Sequence, residues 1–113
     1  MTPGDDNTPV ELLWLLGHLY SQHGESRRGI VMLLIAAQLA PDHVGVWRTL
    51  AEAFLSGGIP ERAVSTIKRL RLMEEGAADP ILDLLMARAL WACGEPAEAR
   101  RYLREFLQRR NPS

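Results

Sequence analysis

The 113-residue chain carries 13 basic and 14 acidic residues, a formal charge of −1, 47% hydrophobic residues and a single cysteine, Cys93. That balance excludes a dedicated nucleic-acid binder, which needs a clearly basic surface. One cysteine excludes an internal disulfide and suits a reducing cytosol. Length and apolar content predict a single domain over residues 1–113, with 1–7 as a flexible tail. MTPGDDNTPVE lacks the basic and apolar segments of a secretory signal, and the longest apolar run, IVMLLIAAQLA, is too short to span a bilayer.

The predicted elements are all helical. Thr8-Pro9-Val10-Glu11 reads as a capping box with proline at the first helical position. The helix it opens runs to about Gln22 and is stopped by Gly24. A second helix covers about Ser26–Leu39 and ends before Pro41. The third, about Val44–Leu55, meets Gly57-Gly58. Pro60 opens the fourth, which reaches about Glu74. Gly76-Ala77-Ala78-Asp79 is a linker, Asp79-Pro80 starts the fifth helix, and Gly94 closes it. Pro96 starts the sixth, about Pro96–Gln108.

These helices repeat in pairs. LLWLLGHLYSQHG at residues 12–24 returns 34 positions later as VWRTLAEAFLSGG. Leu13 matches Trp47, Leu16 matches Leu50, Gly17 matches Ala51, Tyr20 matches Phe54, and Gly24 matches Gly58. A third copy follows through Met86, Ala87, Leu90 and Gly94, with Asp83 where a large apolar residue is usual. Small residues at 17, 51 and 87 let two helices approach without a side chain between them. The period and the pattern large-x2-Leu-small-x2-aromatic resemble the tetratricopeptide repeat. The fold this implies is all-α: three stacked helix-turn-helix repeats, about 10–43, 44–79 and 80–113, in a short right-handed α-solenoid. One hairpin cannot cover its own apolar stripe, and stacking buries it.

In such an array the first helix of each pair lines the concave side. With Leu13, Leu16, Gly17 and Tyr20 facing inward, Glu11, Trp14, His18 and Ser21 share the groove-facing stripe. The third helix then presents Gly45, Arg48, Glu52 and Leu55, and the fifth Ile81, Leu84, Arg88 and Trp91. Trp14, Leu55, Ile81, Leu84 and Trp91 would form an apolar trough, with Arg48, Glu52 and Arg88 as polar points. Two readings stand open: a protein partner fills the trough, or the N-terminal tail or a loop covers the tryptophans.

Repeat arrays usually end in a polar capping helix, and none is expected after the sixth. ARRYLREFLQRR sets apolar residues beside arginines, so Arg101, Tyr102, Arg104 and Phe106 form a possible second partner surface, suited to acidic segments. Equally, the arginines solvate an exposed face and complement the helix C-terminus. An uncovered end predicts self-association of the isolated chain. Twelve of the 13 basic residues are arginine, which reflects either a GC-rich genome or a taste for interfaces.

No catalytic chemistry is expected. His18 and His23 lie on different helical faces, His43 is in a linker, and no Cys/His spacing suits zinc. No phosphate loop or nucleophile motif is present. The reading is therefore of a non-enzymatic protein with no metal or cofactor. One class of tetratricopeptide domain holds a terminal carboxylate with lysine and asparagine in its groove; Trp14 and His18 occupy the matching places here.

The chain further resembles the small tetratricopeptide chaperones of bacterial type III secretion, above all the YscY/SctY family. The segments that carry this are LLWLLGHLYSQHGESRR, LAPDHV (Leu39–Val44) and GEPAEARRYLREFL (Gly94–Leu107); Pro60–Asp79 departs most. The resemblance implies a bacterial cytoplasmic chaperone that binds one small secreted subunit of the YscX/SctX type. It would keep that subunit soluble in a heterodimer and bring it to the export gate, without nucleotide or metal. The alternatives are a chaperone of a needle subunit or translocator, or a general tetratricopeptide scaffold.

Overall fold

A computed structural model of the chain describes residues 8–73 and 79–110. Six helices occupy them: α1 (Thr8–Gln22), α2 (Ser26–Leu39), α3 (Val44–Ser56), α4 (Pro60–Leu72), α5 (Ile81–Ala92) and α6 (Pro96–Arg110). No strand occurs among the described residues. The fold is all-α. Helix α4 ends two residues short of the expected Glu74, because Met73 is extended and its N–H turns back to the Leu70 carbonyl. The expected tail, 1–7, and most of the linker lie outside the described residues. Helix α5 begins at Ile81, whose N–H is capped by Asp79 Oδ1 at 2.9 Å.

Each pair of helices is joined by the same turn. Gly24, Gly58 and Gly94 have φ of 81°, 76° and 81°, a left-handed conformation open to glycine and costly for side chains. The next residue's N–H reaches back across the turn: Glu25 to Tyr20 O, Ile59 to Phe54 O, and Glu95 to Leu90 O, at 2.7, 2.8 and 2.9 Å. This is the Schellman closure, which satisfies carbonyls that the last helical turn leaves unpaired. Its spacing of 34 and then 36 residues is that of the sequence repeat.

Within each pair, small residues form the seam. A Cβ on Gly29 would stand 2.6 Å from the Gly17 carbonyl oxygen, so the two backbones touch. Ala51 and Ala63, then Ala87 and Ala99, are buried at the corresponding positions. The hairpins meet in sequence, α2 on α3 and α4 on α5, and the first helices also meet, α1 with α3 and α3 with α5. Leu33, Leu50, Phe54, Ile67, Leu70, Leu82 and Met86 form one continuous core. The radius of gyration, 15.0 Å, exceeds the roughly 13 Å of a compact globule of this length. The molecule is correspondingly elongated, 48 × 31 × 19 Å.

The break in the repeat pattern at Asp83 has a structural use. Its carboxylate is fully buried. Arg71 of α4 donates to Oδ1, and the Arg109 guanidinium of α6 lies 3.0 Å from Oδ2, too poorly aligned to count as a hydrogen bond. Asp83 thus joins α4, α5 and α6 through charge where Leu13 and Trp47 offer apolar surface.

Candidate partner-binding groove

The exposed faces of α1, α3 and α5, joined by α6 at the far end, line three adjoining pockets. The first, about 320 Å³, is apolar and lined by Glu11, Trp14, Leu15, His18 and Thr49. The second, also about 320 Å³, is polar, lined by His18, Ser21, Gln22, Thr49, Glu52, Ser56 and Arg88. The third, about 390 Å³, is apolar again, with Leu84, Ala87, Arg88, Trp91, Ala99, Arg100 and Leu103. His18 and Thr49 border the first two, and Arg88 the last two.

Local structure explains the division. Trp14 is a wedge between α1 and α3, and only partly open. Its indole N–H donates to Thr49 Oγ1 at 2.8 Å, its ring stands edge-on to His43 at 4.6 Å, and Gly45 makes room for it. A Cβ there would lie 2.5 Å from the ring. His43 in turn caps α3, its Nδ1 accepting the Val46 N–H at 3.1 Å. Further along, the Ser21 and Ser56 hydroxyls hydrogen-bond at 3.1 Å. Trp91, by contrast, is 62% exposed.

Of the residues anticipated for the groove, Trp14, His18, Ser21, Glu52, Leu84, Arg88 and Trp91 line these pockets. Arg48, Leu55 and Ile81 lie outside them. Arg48 is engaged by Asp79 Oδ2, which ties α3 to the cap of α5. Leu55 packs on the core, and Ile81 is 42% exposed at the start of α5. The anticipated continuous apolar trough is instead two apolar pockets with a polar span between. On α3 the groove face runs through Thr49, Glu52 and Ser56 rather than 48, 52 and 55. Sequence reasoning missed Thr49 and Ser56, although they stand 34 residues after Leu15 and Gln22, which line the same pockets from α1. Their hydroxyl chemistry at i, i+7 was the available signal.

The anticipated second surface does not form one patch. Tyr102 is half-buried against the core and flanked by two guanidinium groups, Arg71 at 5.3 Å and Arg101 at 4.9 Å from its ring. Phe106 is also half-buried, whereas Arg101 and Arg104 are exposed. Arginine stacks recur elsewhere: Arg69 over Trp47 at 4.5 Å and Arg62 over Phe54 at 4.9 Å. Part of the arginine bias therefore serves packing within the chain.

Among the described residues, no group of three His, Cys, Asp or Glu is placed to hold a metal ion. None of their helices is long and apolar enough to cross a membrane. No protein-family model matches this chain, and no curated protein does either. The groove offers apolar surface at its two ends, with donors, acceptors and groups of both charges between them.

Proposed function

We propose that the chain is a protein-binding module of the tetratricopeptide kind, its three hairpins stacked as a short right-handed solenoid with α1, α3 and α5 on the concave face. What supports this is the return of one turn and one small-residue seam at the repeat spacing. More particularly, it is a cytoplasmic chaperone of bacterial type III secretion. It holds a small secreted export subunit of the YscX/SctX type in a heterodimer and delivers it to the export gate. The resemblance through LLWLLGHLYSQHGESRR and GEPAEARRYLREFL supports that narrower assignment.

The observation that carries the proposal is the groove itself. Trp91, 62% exposed beside Leu84 and Leu103, is an apolar anchor site linked by a polar span to the pocket beside Trp14. An amphipathic helix of the client fits this pattern, with apolar residues at its ends and polar residues facing His18, Glu52 and Arg88. The test is co-expression with the small secreted subunit encoded among export-apparatus genes, followed by co-purification. Trp91→Asp should abolish capture with helical content and melting temperature unchanged, since the side chain is mostly in solvent. Trp14→Ala is a poorer probe, because it also removes the α1–α3 wedge. Full capture by Trp91→Asp would refute the groove assignment; no capture by the unaltered chain would refute the chaperone assignment.

A further inference from the structure

The first and third hairpins each leave open a face that is covered where two hairpins meet. Leu12 and Leu19 of α1 are 51% and 42% exposed, whereas their counterparts in the repeat, Val46 and Ala53 of α3 and Leu82 and Ala89 of α5, are fully buried. On α6, Leu103 and Leu107 are 42% and 54% exposed, whereas Leu33 and Ile67, the counterparts of Leu103, are fully buried. Val46 packs with Ala36 and Ala37 of α2, and Ala37 is the counterpart of Leu107. The open face of α1 is therefore the one with which a first helix sits on the hairpin before it. The open face of α6 is the one that a second helix offers to the hairpin after it. A repeat cannot cover both by itself.

We infer that a second copy of the chain fills these faces head to tail, α1 of one copy stacking on α5 and α6 of the other. This rests on the stacked-repeat reading proposed above and on no client. The junctions inside the chain are the template, because each of their contacts, carried forward by the repeat, gives a matched pair between copies. Ala37 with Val46 becomes Leu107 with Leu12. The ion pair Arg71–Asp83 becomes Leu107 with Leu13, and Arg48–Asp79 becomes Leu84 with Pro9. In the opposite sense, Ile30 and Ile59, which line one cleft between the first two turns, become Arg100 and Glu25. Both partners change character together at each place, which keeps apolar against apolar and opposite charges level. Arg100 has no ion pair among the described residues, and Glu25 has only a 3.9 Å solvent-exposed contact with Arg28. Pairing two third hairpins with each other would instead bring Arg88 and Arg100 of both copies onto one face, and like charges oppose that. Two different faces meet, so the contact is heterologous and does not close at two copies. It also covers the pocket beside Trp91, for which copy and client would compete.

Sedimentation of the full chain without any client tests this. The weight-average mass should climb with concentration past twice 12.6 kDa. Leu12→Asp and Leu107→Asp should each run at the single mass with unchanged helical content, because each closes one of the two faces. Mixed in equal amounts, the two variants should form a dimer and nothing larger, since the open face of one still fits the open face of the other. Arg100→Glu or Glu25→Arg alone should weaken the association about tenfold, and the two together should restore it. The inference is overturned by a monomer at every concentration or by an assembly that stops at two copies. It is equally overturned if the mixed variants stay monomeric, if the double charge swap fails to restore association, or if association requires removal of residues 1–7. None of these results bears on client capture, and loss of capture would not alter them.

Discussion

Arg71→Met should destabilise the protein far more than Asp83→Leu, although both remove the same ion pair. Arg71→Met leaves a fully buried carboxylate with only the misaligned Arg109 guanidinium at 3.0 Å. Orphaning a buried charge costs about 3–5 kcal/mol; the remaining arginine places this case near 3. Asp83→Leu instead puts an apolar side chain where the other two repeats have Leu13 and Trp47. Its former partners are 24% and 44% exposed and can turn to water, so the loss should stay within about 1 kcal/mol. For 113 residues the unfolding entropy is about 240 cal/mol/K near the midpoint. The melting temperature should therefore fall by about 12 °C for Arg71→Met and by about 4 °C or less for Asp83→Leu. Thermal and urea unfolding followed by far-UV circular dichroism would measure both. Equal losses in the two variants would refute the reasoning, because the damage would then come from lost attraction rather than from a stranded charge.

Gly29→Ala should cost about 2–3 kcal/mol, since the new Cβ would meet the backbone of Gly17 and Ser21 at 2.6 and 3.2 Å and only a shift of the whole seam relieves it; urea midpoints would show this. Thr49→Val should cost about 1–2 kcal/mol by stranding the Trp14 indole N–H, whereas Thr49→Ser should be nearly neutral. Desolvation, with help from Glu61 and Glu95, raises the Cys93 thiol pKa, so the thiolate is scarcer in the folded chain than in the unfolded one. Alkylation at neutral pH should accordingly be slower in the folded protein, and the gap should narrow as pH rises past the raised value; equal rates throughout would contradict it.

The helices were legible because their signals are local. Pro9, Pro60 and Pro96 open helices, Gly24, Gly58 and Gly94 close them, and five of the six observed starts fall at the expected residue or within one of it. The core was legible for the same reason: the small and large positions recur with the period, and Leu50, Ala51, Phe54, Met86 and Leu90 are all buried. The groove was only half legible. Trp14 and Trp91 look alike as exposed stripe residues in the sequence, yet one is wedged beside Gly45 and hydrogen-bonded to Thr49, and the other stands in solvent.

That difference divides what one chain segment can specify from what assembly decides. Helix bounds, turn geometry and the buried face depend on contacts within about five residues or on a strict period, and both are written in order along the chain. Whether Arg48 points into the groove or onto Asp79, whether Thr49 or Arg48 faces α1, and whether Asp83 is a flaw or a hub depend on residues 12 to 35 positions away. Those partners meet only when neighbouring helices have packed together. That packing is decided by side chains far apart in the chain, and no period in the sequence encodes it.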